Sequence, residues 1–463
     1  MSQQPRTRQE LYDLVRQKGK DEYVLDEMIR LGFWSAGELP EDPADDIRRM
    51  EEIRRELNNL RQESRNLKNE KVLRRRLLKE RLAESRRQQQ ENKAKREQAR
   101  IAKTEAWKKK KQTEITYLGE DVSKGLNYTE CDRERLKDYS LPILGDALQI
   151  ATAIGITVPQ LRFLAFNRKT STVSHYVRFK IPKKTGGERI ISAPMPKLKQ
   201  AQYWILEHIL NKIPVHDAVH GFRSDRSILT NAKPHVGADV VINIDLEDFF
   251  PSVSYKRVKG LFRSFGYSEA AATIFGLLCT EAELEEVELD GKTYYVALGD
   301  RFLPQGSPAS PAITNIMCRR LDKRITQMGQ QWDFVYTRYA DDLTFSTSAK
   351  HPRICNLLKN TDSIIQHEGF KINQKKTRVL RQSRQQEVTG IVVNEKLNVD
   401  RKTLKRFRAT LYQIETNGID NISWGNGKDL MASIHGFANF VAMVNPIKGE
   451  KFLAQIQRIK QNL

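Results

Sequence analysis

Apolar residues follow two kinds of pattern along the chain, and each pattern predicts a different kind of element. Apolar residues at helical intervals predict helices within residues 9–34, 44–118 and 400–463. Unbroken apolar or β-branched runs predict strands, most clearly residues 240–244 and the two halves of residues 333–348. A short polar break within residues 333–348 predicts a tight turn between two strands. The chain is therefore predicted to be an α+β protein that begins with a long helical extension.

The long helical segment has an unusual composition. It contains no glycine and no proline. Five of its apolar residues follow one another at intervals of 3, 4, 3 and 7, a spacing typical of a coiled-coil seam, in the order Met50, Ile53, Leu57, Leu60 and Leu67. The polar residue Ser64 occupies one position of this seam. Between Arg48 and Lys111 there are 24 Lys and Arg residues against 10 Asp and Glu residues, an excess of 14 cations. A solvated helix with internal ion pairs and coiled-coil self-association are both compatible with this run. The excess of cations favours contacts with RNA or DNA phosphates.

Aspartates occupy two positions where predicted strands end. Asp245 ends the apolar run 240–244, and Asp341 and Asp342 form the tip of the predicted hairpin. Adjacent aspartates at a turn are usually there only because aspartate favours turns. If the two strands are neighbours, however, the carboxylates of Asp245 and Asp341 converge, although 96 positions separate them in the sequence. Carboxylates that leave room for water and phosphate suit Mg²⁺, and two such ions about 3.5–4 Å apart promote in-line phosphoryl transfer. The predicted chemistry is nucleotidyl transfer.

Cations lie near these carboxylates in the predicted arrangement. A predicted β-hairpin over residues 176–194 has a Gly-Gly tip surrounded by basic residues, namely Lys183, Lys184 and Arg189. Hairpin tips are often basic for solubility alone, but cations here suit the triphosphate of an incoming nucleotide. Lys375 and Lys376 are candidate cations beside the leaving pyrophosphate, although exposed lysines are usually ordinary surface residues.

Two further segments are candidate nucleotide contacts. Phe250 follows Asp245 by five positions, so its ring could lie under the sugar of an incoming nucleotide and exclude a 2′-hydroxyl. Phe250 could also be a core residue, and the two roles are compatible. The loop from Leu303 to Pro311 contains Gln305 and Gly306 and leads into a predicted helix. Small residues before a helix N-terminus let the backbone approach a nucleotide or template closely.

Composition indicates the kind of partner that the chain binds and the cellular compartment in which it is expected. The 463 residues are enough for about three domains, and 79 Lys and Arg against 58 Asp and Glu give a net charge of +21, which favours a polyanionic partner. The four cysteines form no Cys-x-x-Cys pair, so neither a zinc site nor a disulfide framework is indicated. Neither a signal peptide nor a membrane span is predicted, and a cytoplasmic location is expected.

Three motifs, taken together, resemble the palm of reverse transcriptases and occur in the same order. They are Asn243-Ile244-Asp245 with Phe249-Phe250, then Leu303-Pro304-Gln305-Gly306, then Arg338-Tyr339-Ala340-Asp341-Asp342. Two more resemble signatures of the bacterial retron reverse transcriptases: Asn231-Ala232-Lys233-Pro234-His235 and Val388-Thr389-Gly390. The resemblance covers residues 140–463, and the combination is far more specific than any one motif.

The resemblance implies an RNA-directed DNA polymerase with the right-hand fold of fingers, palm and thumb. It implies that Asp245 and Asp341 hold two Mg²⁺ ions and that Asp342 completes the acidic cluster. The nucleotide-binding residues that it implies are Phe250 as sugar gate, Gln305 and Gly306 in the nucleotide and template pocket, and Lys183, Lys184 and Arg189 at the triphosphate. His235 is expected to be a hydrogen-bonded structural residue without a catalytic role.

Retron enzymes copy a cognate structured noncoding RNA, prime from the 2′-hydroxyl of one of its guanosines, and so make branched RNA-DNA, called multicopy single-stranded DNA. The implied partners are this RNA and its DNA product, dNTPs, and an effector protein in defence against phage. One alternative is a general bacterial reverse transcriptase that uses another primer. Another is an RNA-binding scaffold of a defence complex, in which synthesis is secondary.

The domain organisation follows from these patterns and from the resemblance. We expect a small helical element over residues 1–43, a long basic helix or coiled coil over 44–118, a linker over 119–139, fingers with part of the palm over 140–240, the palm over 241–394, and a helical thumb over 395–463. The resemblance does not explain the N-terminal extension. Its long helix is a candidate element for oligomerisation as well as for RNA binding.

Overall fold

The computed structural model describes residues 7–35, 43–182, 186–420, 422–425, 427 and 429–462. The chain divides into two compact units, Met1–Trp107 and Lys108–Leu463. Helices make up the described part of the first unit, whereas the described part of the second combines helices with four small sheets. This arrangement confirms the predicted α+β class with long helices at the N-terminal end.

The helices of the first unit are α1 (Arg8–Lys18), α2 (Lys20–Arg30), α3 (Pro43–Lys68) and α4 (Glu70–Thr113), the last of which crosses the unit boundary. A capping box between Thr7 and Glu10 starts α1, and Gly19, with φ of 91°, separates α1 from α2. The helical prediction within residues 9–34 is confirmed, and the structure resolves the segment into two short helices.

The uninterrupted helix predicted over residues 44–118 is wrong on two points. The helix breaks at Asn69, whose side chain accepts a hydrogen bond from the Val72 amide (3.4 Å) and so caps the start of α4. The helix also ends at Thr113. Beyond it, Ile115 and Leu118 are buried in the core of the second unit, and this packing replaces continued helix. The sequence contains no glycine or proline that signals either change.

The second unit contains most of the regular structure. Its helices are α5 (Arg133–Asp138), α6 (Ala147–Ile154), α7 (Val158–Ala165), α8 (Pro196–His208), α9 (Ile228–Ala232), α10 (Tyr255–Ser264), α11 (Glu269–Cys279), α12 (Ser310–Met317), α13 (Arg319–Gln331), α14 (Ile354–His367), α15 (Arg401–Asn417), α16 (Leu430–Val444) and α17 (Pro446–Asn462). Its strands are β1 (Thr170–Ser171), β2 (Tyr176–Pro182), β3 (Glu188–Pro194), β4 (Val240–Asp245), β5 (Leu284–Leu289), β6 (Lys292–Ala297), β7 (Val335–Tyr339), β8 (Asp342–Thr347), β9 (Arg378–Arg381), β10 (Glu387–Val388) and β11 (Ile391–Val392). Within the described residues, no single helix combines the length and apolarity needed to cross a membrane.

A four-stranded antiparallel sheet in the order β7-β8-β4-β9 is the centre of the second unit. Four of the six residues of β4 are buried, which explains why its sequence is an apolar run rather than an alternation. The residues of β8 after its first are buried as well. Helices α10, α11, α13 and α14 contribute to the same core, so the sheet is a rigid platform for the residues at its ends.

A second core joins the C-terminal helices to β10 and β11. Its centre is Phe407 of α15, whose ring lies 4.8 Å from that of Trp424, 4.6 Å from that of Phe437 and 5.1 Å from that of Phe452. Aromatic rings at such distances add to the stabilisation that comes from area burial. The C-terminal segment predicted as helical is therefore three packed helices, α15 to α17.

Candidate active site

The central sheet brings the three predicted aspartates together. Asp245 is the last residue of β4 and Asp342 is the first residue of β8, and the two lie directly opposite each other in the antiparallel register. Asp341 lies in the turn before β8, where its carbonyl accepts a hydrogen bond from the Leu246 amide (2.9 Å). The continuous apolar sequence of β4 buries the strand and ends it at the carboxylate.

The turn between β7 and β8 has only two residues, Ala340 and Asp341, because Tyr339 already pairs with Asp342. Ala340 has φ of 56°, which is unusual for a residue other than glycine. Two-residue hairpin turns use positive φ because their twist matches that of the strands. An alanine in this conformation persists only where the surroundings hold it.

Arg338 is the residue that holds the turn from inside. Its side chain is fully buried (0% exposed), and its guanidinium donates to the Ala340 carbonyl (3.1 Å) and to Asn315 Oδ1 (3.1 Å). Two further bonds go to both carboxylate oxygens of Asp322, Nε to Oδ1 (2.8 Å) and Nη2 to Oδ2 (2.7 Å). Tyr336 also donates to Asp322 (2.8 Å). Such a bidentate, hydrogen-bonded ion pair fixes geometry as well as charge.

Gly221 holds the turn from outside. A Cβ atom on this residue would lie 2.8 Å from the Ala340 amide nitrogen, so only glycine permits the approach. The Gly221 carbonyl accepts a hydrogen bond from Asn315 Nδ2 (2.9 Å), which links this contact to the Arg338 network. Sequence reasoning assigned no role to Arg338, Asp322, Asn315 or Gly221. The sequence did contain a signal of this network: Arg338 in β7 and Asp322 on the apolar face of α13 are charged residues at positions that face the core.

Burial and mutual repulsion shape the charge of the carboxylates. Burial, followed by the nearby Asp245 carboxylate, raises the pKa of Asp341 above its usual value. Burial, followed by Asp341 and Asp245, raises the pKa of Asp342 to about 7. Lys376 opposes these effects, because its ammonium group donates to both Asp245 oxygens (3.1 and 3.0 Å). The site therefore holds more negative charge than its own cation balances.

These residues fit a divalent metal whose remaining ligands come from water and substrate. Within the part of the chain that the structure describes, no group of three or more His, Cys, Asp or Glu side chains forms a ready metal cage. The aspartates instead adjoin one another with unbalanced negative charge. Mg²⁺ binds in this way, through one or two carboxylates plus waters and phosphate oxygens. Asp245, Asp341 and Asp342 are the residues that could hold it.

Of the two candidate lysines, the structure brings only Lys376 to the carboxylates. Lys376 ends a 3-10 turn, Gln374–Lys376, that is tied to β4 by the hydrogen bond from the Asn373 amide to the Asp245 carbonyl (2.8 Å). Lys375, in the same turn, makes no hydrogen bond or ion pair within the described residues. A cation beside Asp245 is therefore part of the geometry, whereas Lys375 remains a prediction.

The Gln305-Gly306 loop is tied to the β2–β3 hairpin. The Ser192 amide donates to the Gln305 carbonyl (2.8 Å), and Gly306, with φ of 126°, approaches so closely that a Cβ atom would lie 2.7 Å from the Ser192 carbonyl. Arg189 lies on the same strand, β3, and its positive charge opposes the increase in the pKa of Asp341 that burial causes. Lys183 and Lys184 lie outside the described residues.

A cavity of about 540 Å³ contains three of the predicted nucleotide contacts, Phe250, Gln305 and Gly306, beside Tyr203 and Phe222. Phe250 is half-buried, and its ring lies 5.5 Å from that of Phe249, so one side packs in the core while the other faces the cavity. A larger groove of about 1480 Å³ runs along α10 and residues 297–301 and contains none of the predicted site residues.

The two motifs that resemble retron signatures meet beside the β7–β8 hairpin. Asn231 Nδ2 donates to Thr389 Oγ1 (3.5 Å), while Ala232 and Val388 are buried in the same core, beside the turn formed by Thr389 and Gly390. His235 is fully buried and bonds Thr337 of β7 (2.7 Å) and Ser346 of β8 (2.6 Å). Burial lowers the pKa of His235 to about 3, so the ring is neutral and braces the two strands.

Comparison with known proteins agrees with this geometry. The family described as reverse transcriptase (RNA-dependent DNA polymerase) matches residues 181–393. Telomerase from Candida albicans, solved with a fragment of telomeric RNA, is 13% identical with a TM-score of 0.38 and covers 61% of this chain and 59% of that one, a likeness too weak to support an argument.

Curated relatives are far more similar. The Retron Mx162 reverse transcriptase of Myxococcus xanthus is 41% identical over 382 residues, which are 77% of this chain and 76% of that protein. The Retron Ec86 reverse transcriptase of Escherichia coli is 32% identical over 331 residues, which are 71% of this chain and 93% of that protein. The chain therefore belongs to the retron reverse transcriptases, which are RNA-directed DNA polymerases.

Proposed function

We propose that the chain copies one cognate structured noncoding RNA into single-stranded DNA, starting from the 2′-hydroxyl of a guanosine in that RNA. The product is then branched RNA-DNA. The observation that carries the polymerase chemistry is the placement of Asp245 opposite Asp342 at the ends of paired strands, with Asp341 in the adjoining turn. The choice of template and primer rests on the family and on the two joined signatures.

Two Mg²⁺ ions are the proposed cofactor, held by Asp245 and Asp341 with Asp342 completing the acidic cluster. Bound Mg²⁺ supplies activation of the attacking hydroxyl and neutralises charge on the leaving pyrophosphate. The protein presents its carboxylates from two rigid strands, so little rearrangement is needed at the moment of reaction. Lys376 places a positive charge beside Asp245. We propose that this lysine, rather than Lys375, is the cation nearest the reacting phosphates.

The incoming dNTP is proposed to bind between the carboxylates and the β2–β3 hairpin. Arg189, together with Lys183 and Lys184, would neutralise the triphosphate, since phosphates in a partly buried site need cationic partners. Phe250 borders the cavity and is the proposed barrier to a 2′-hydroxyl on the incoming sugar. Gln305 and Gly306 are held against β3 and would line the pocket for nucleotide and template.

We assign the regions of the right-hand polymerase as the sequence indicates: fingers over residues 140–240, palm over 241–394 and thumb over 395–463. The central sheet with its carboxylates supports the palm assignment. The packing of α15 to α17 around Phe407, in a core that they share with β10 and β11, supports a helical thumb. Residues 119–139, predicted to be a linker, instead contain α5 and contribute Val122, Leu126 and Leu136 to the core of the second unit.

The N-terminal helices are proposed to contact the RNA. Helix α4 has 17 Lys and Arg residues against 6 Glu, and none of its side chains is buried. Ion pairs within the helix, such as Arg76 with Glu80 and Arg87 with Glu91, account for only part of that charge. Contacts with phosphates would use the remainder. We further propose that the RNA-DNA product acts with an effector protein in defence against phage.

Replacing Asp341 tests the assignment of the metal-binding carboxylates. We expect Asp341→Asn to lower Mg²⁺-dependent dNTP incorporation on an RNA template by about 10²-fold or more, because a charge that stabilises the transition state is lost. The matched control is Glu247→Gln. Glu247 lies two residues after Asp245, and its carboxylate forms an ion pair with the Lys371 ammonium group (2.7 Å). Normal extension by Asp341→Asn, with the control also active, would contradict the assignment.

The raised pKa of Asp342 predicts a pH-dependent stability. Because the carboxyl binds its proton more tightly in the folded chain (pKa about 7) than at its usual value of 3.8, the metal-free protein loses stability as the pH rises between these values. We expect metal-free Asp342→Asn to melt above the wild type at about pH 8, with the difference shrinking towards about pH 4. Thermal unfolding with a chelator measures this difference. A difference that does not change with pH would refute the assigned charge state.

Nucleic acid that copurifies with the chain from cells carrying its own locus tests the template and primer. We expect a single small RNA joined to DNA through a 2′–5′ bond, identified by sequencing before and after treatment with a debranching enzyme. The Asp341→Asn protein should carry the same RNA without attached DNA. Mixed RNAs, or DNA with ordinary linear ends, would instead favour a general bacterial reverse transcriptase that uses another primer.

A further inference from the structure

One face of α3 exposes large apolar side chains in a row. The seam consists of Met50, Ile53, Leu57, Leu60 and Leu67, with Ser64 in the same row, and its apolar members are between 42% and 62% exposed. Exposed apolar residues are common singly, but a continuous row is typical of a surface that binds another protein. The seam spans residues 50–67, a length of about 27 Å at the helical rise.

The opposite face of α3 is already covered. Ala44 and Glu51 are buried there, Arg48 pairs with Asp26 (3.7 Å), and Arg55 pairs with Glu22. Residues 44, 48, 51 and 55 follow the same helical stripe, on the side away from the seam. Helices α1 and α2 therefore dock on the back of α3 and leave the seam free for a partner.

Charged residues flank the seam in an ordered way. Glu56 and Glu63 lie just before seam positions, whereas Arg61 and Lys68 lie just after them. Within the described ranges, none of these four side chains makes an ion pair, although carboxylates in α4 pair along their own helix at i to i+4 spacing. Four charges are thus available to a partner that binds the seam.

We propose that α3 forms a parallel two-stranded coiled coil with α3 of a second copy of this chain. In parallel coiled coils, a residue before a seam position meets the residue five positions later in the partner helix. Glu56 then meets Arg61 of the second copy, and Glu63 meets Lys68 of the second copy. An antiparallel arrangement would oppose like charges instead, so the charge pattern selects the parallel one.

The same register also explains why Arg54 forms ion pairs within its own chain. Its counterpart across a parallel coil would be Arg49 of the second copy, a like charge. The structure pairs Arg54 within its own chain, to Asp21 (3.1 Å) and Glu51 (2.9 Å), which lessens this repulsion. RNA is a poor occupant of the seam, because an apolar row flanked by Glu56 and Glu63 offers phosphates no attraction. The favoured occupant is a second copy, whose charges complement those of the first.

The consequence would be a dimer in which both α4 helices start at the same end of the coil. Two basic helices would then be available to one RNA, which raises the effective concentration of the second helix once the first has bound. The seam covers only two and a half heptads and includes Ser64, so we expect a reversible dimer rather than a permanent one.

The mass of the full chain, purified free of nucleic acid, tests this proposal independently of polymerase activity. Sedimentation from about 1 to 100 μM should show the wild type reaching twice the mass of one chain. Leu60→Glu should remain monomeric, and Gln62→Glu, the same charge change at an exposed position on the side away from the seam, should still dimerise. Because Leu60 is exposed in the single chain, Leu60→Glu should keep its helix content and melting temperature. A monomeric wild type over this range, or a dimeric Leu60→Glu, would overturn the proposal.

Charge exchange tests the parallel register. Glu63→Lys and Lys68→Glu should each weaken self-association about tenfold, because two attractive pairs in the dimer become repulsive. Mixing the two single variants should restore dimerisation. In the mixed dimer, the lysine introduced in one chain meets the glutamate introduced in the other, and the native Glu63 of one chain meets the native Lys68 of the other. If the mixture associates no better than either variant alone, the proposed register is wrong.

Discussion

The buried ion pair between Arg338 and Asp322 is the interaction on which the β7–β8 hairpin, with its candidate catalytic aspartates, depends. Burying a charge is costly unless it is paired and hydrogen-bonded, and this guanidinium is paired with Asp322 and donates four hydrogen bonds. Removing one partner would leave a buried charge uncompensated, at a cost of about 3–5 kcal/mol. Since Arg338 also donates to the Ala340 carbonyl, the same pair holds the strained turn that carries the aspartates.

Around that turn, the protein gathers charges that repel one another. The sheet supplies the stiffness that this repulsion requires: β4 is buried between β8 and β9, and His235 bonds both β7 and β8. Burial, followed by this repulsion, raises the pKa of Asp342. A divalent cation would relieve the repulsion, and its binding would therefore also stabilise the fold. Rigidity of the strands and affinity for the metal follow from the same geometry.

The sequence predicted the strand that ends at Asp245 and the hairpin that carries Asp341 and Asp342, because an apolar run and a polar turn are local patterns. Their pairing is a tertiary property that the sequence left as a condition and the structure shows. The sequence could not predict the Arg338 network, since Asp322 and Asn315 lie 16 and 23 positions earlier on helices whose packing is a tertiary property. The close approach of Gly221 is likewise non-local. The break at Asn69 was missed for another reason: asparagine is tolerated within helices, and only its observed cap shows that it ends one. The catalytic and nucleotide-binding roles remain predictions.

The central claim, that close packing around the Ala340 turn positions the carboxylates, is tested most directly by the kcat of Gly221→Ala. The added methyl group would lie 2.8 Å from the Ala340 amide nitrogen and must displace the turn. Gly260→Ala is the matched control, because a Cβ atom there meets nothing within 4 Å. We predict a loss of kcat of about 10²-fold for Gly221→Ala, with both variants folded and the control fully active. Equal kcat values for the two variants would contradict the account.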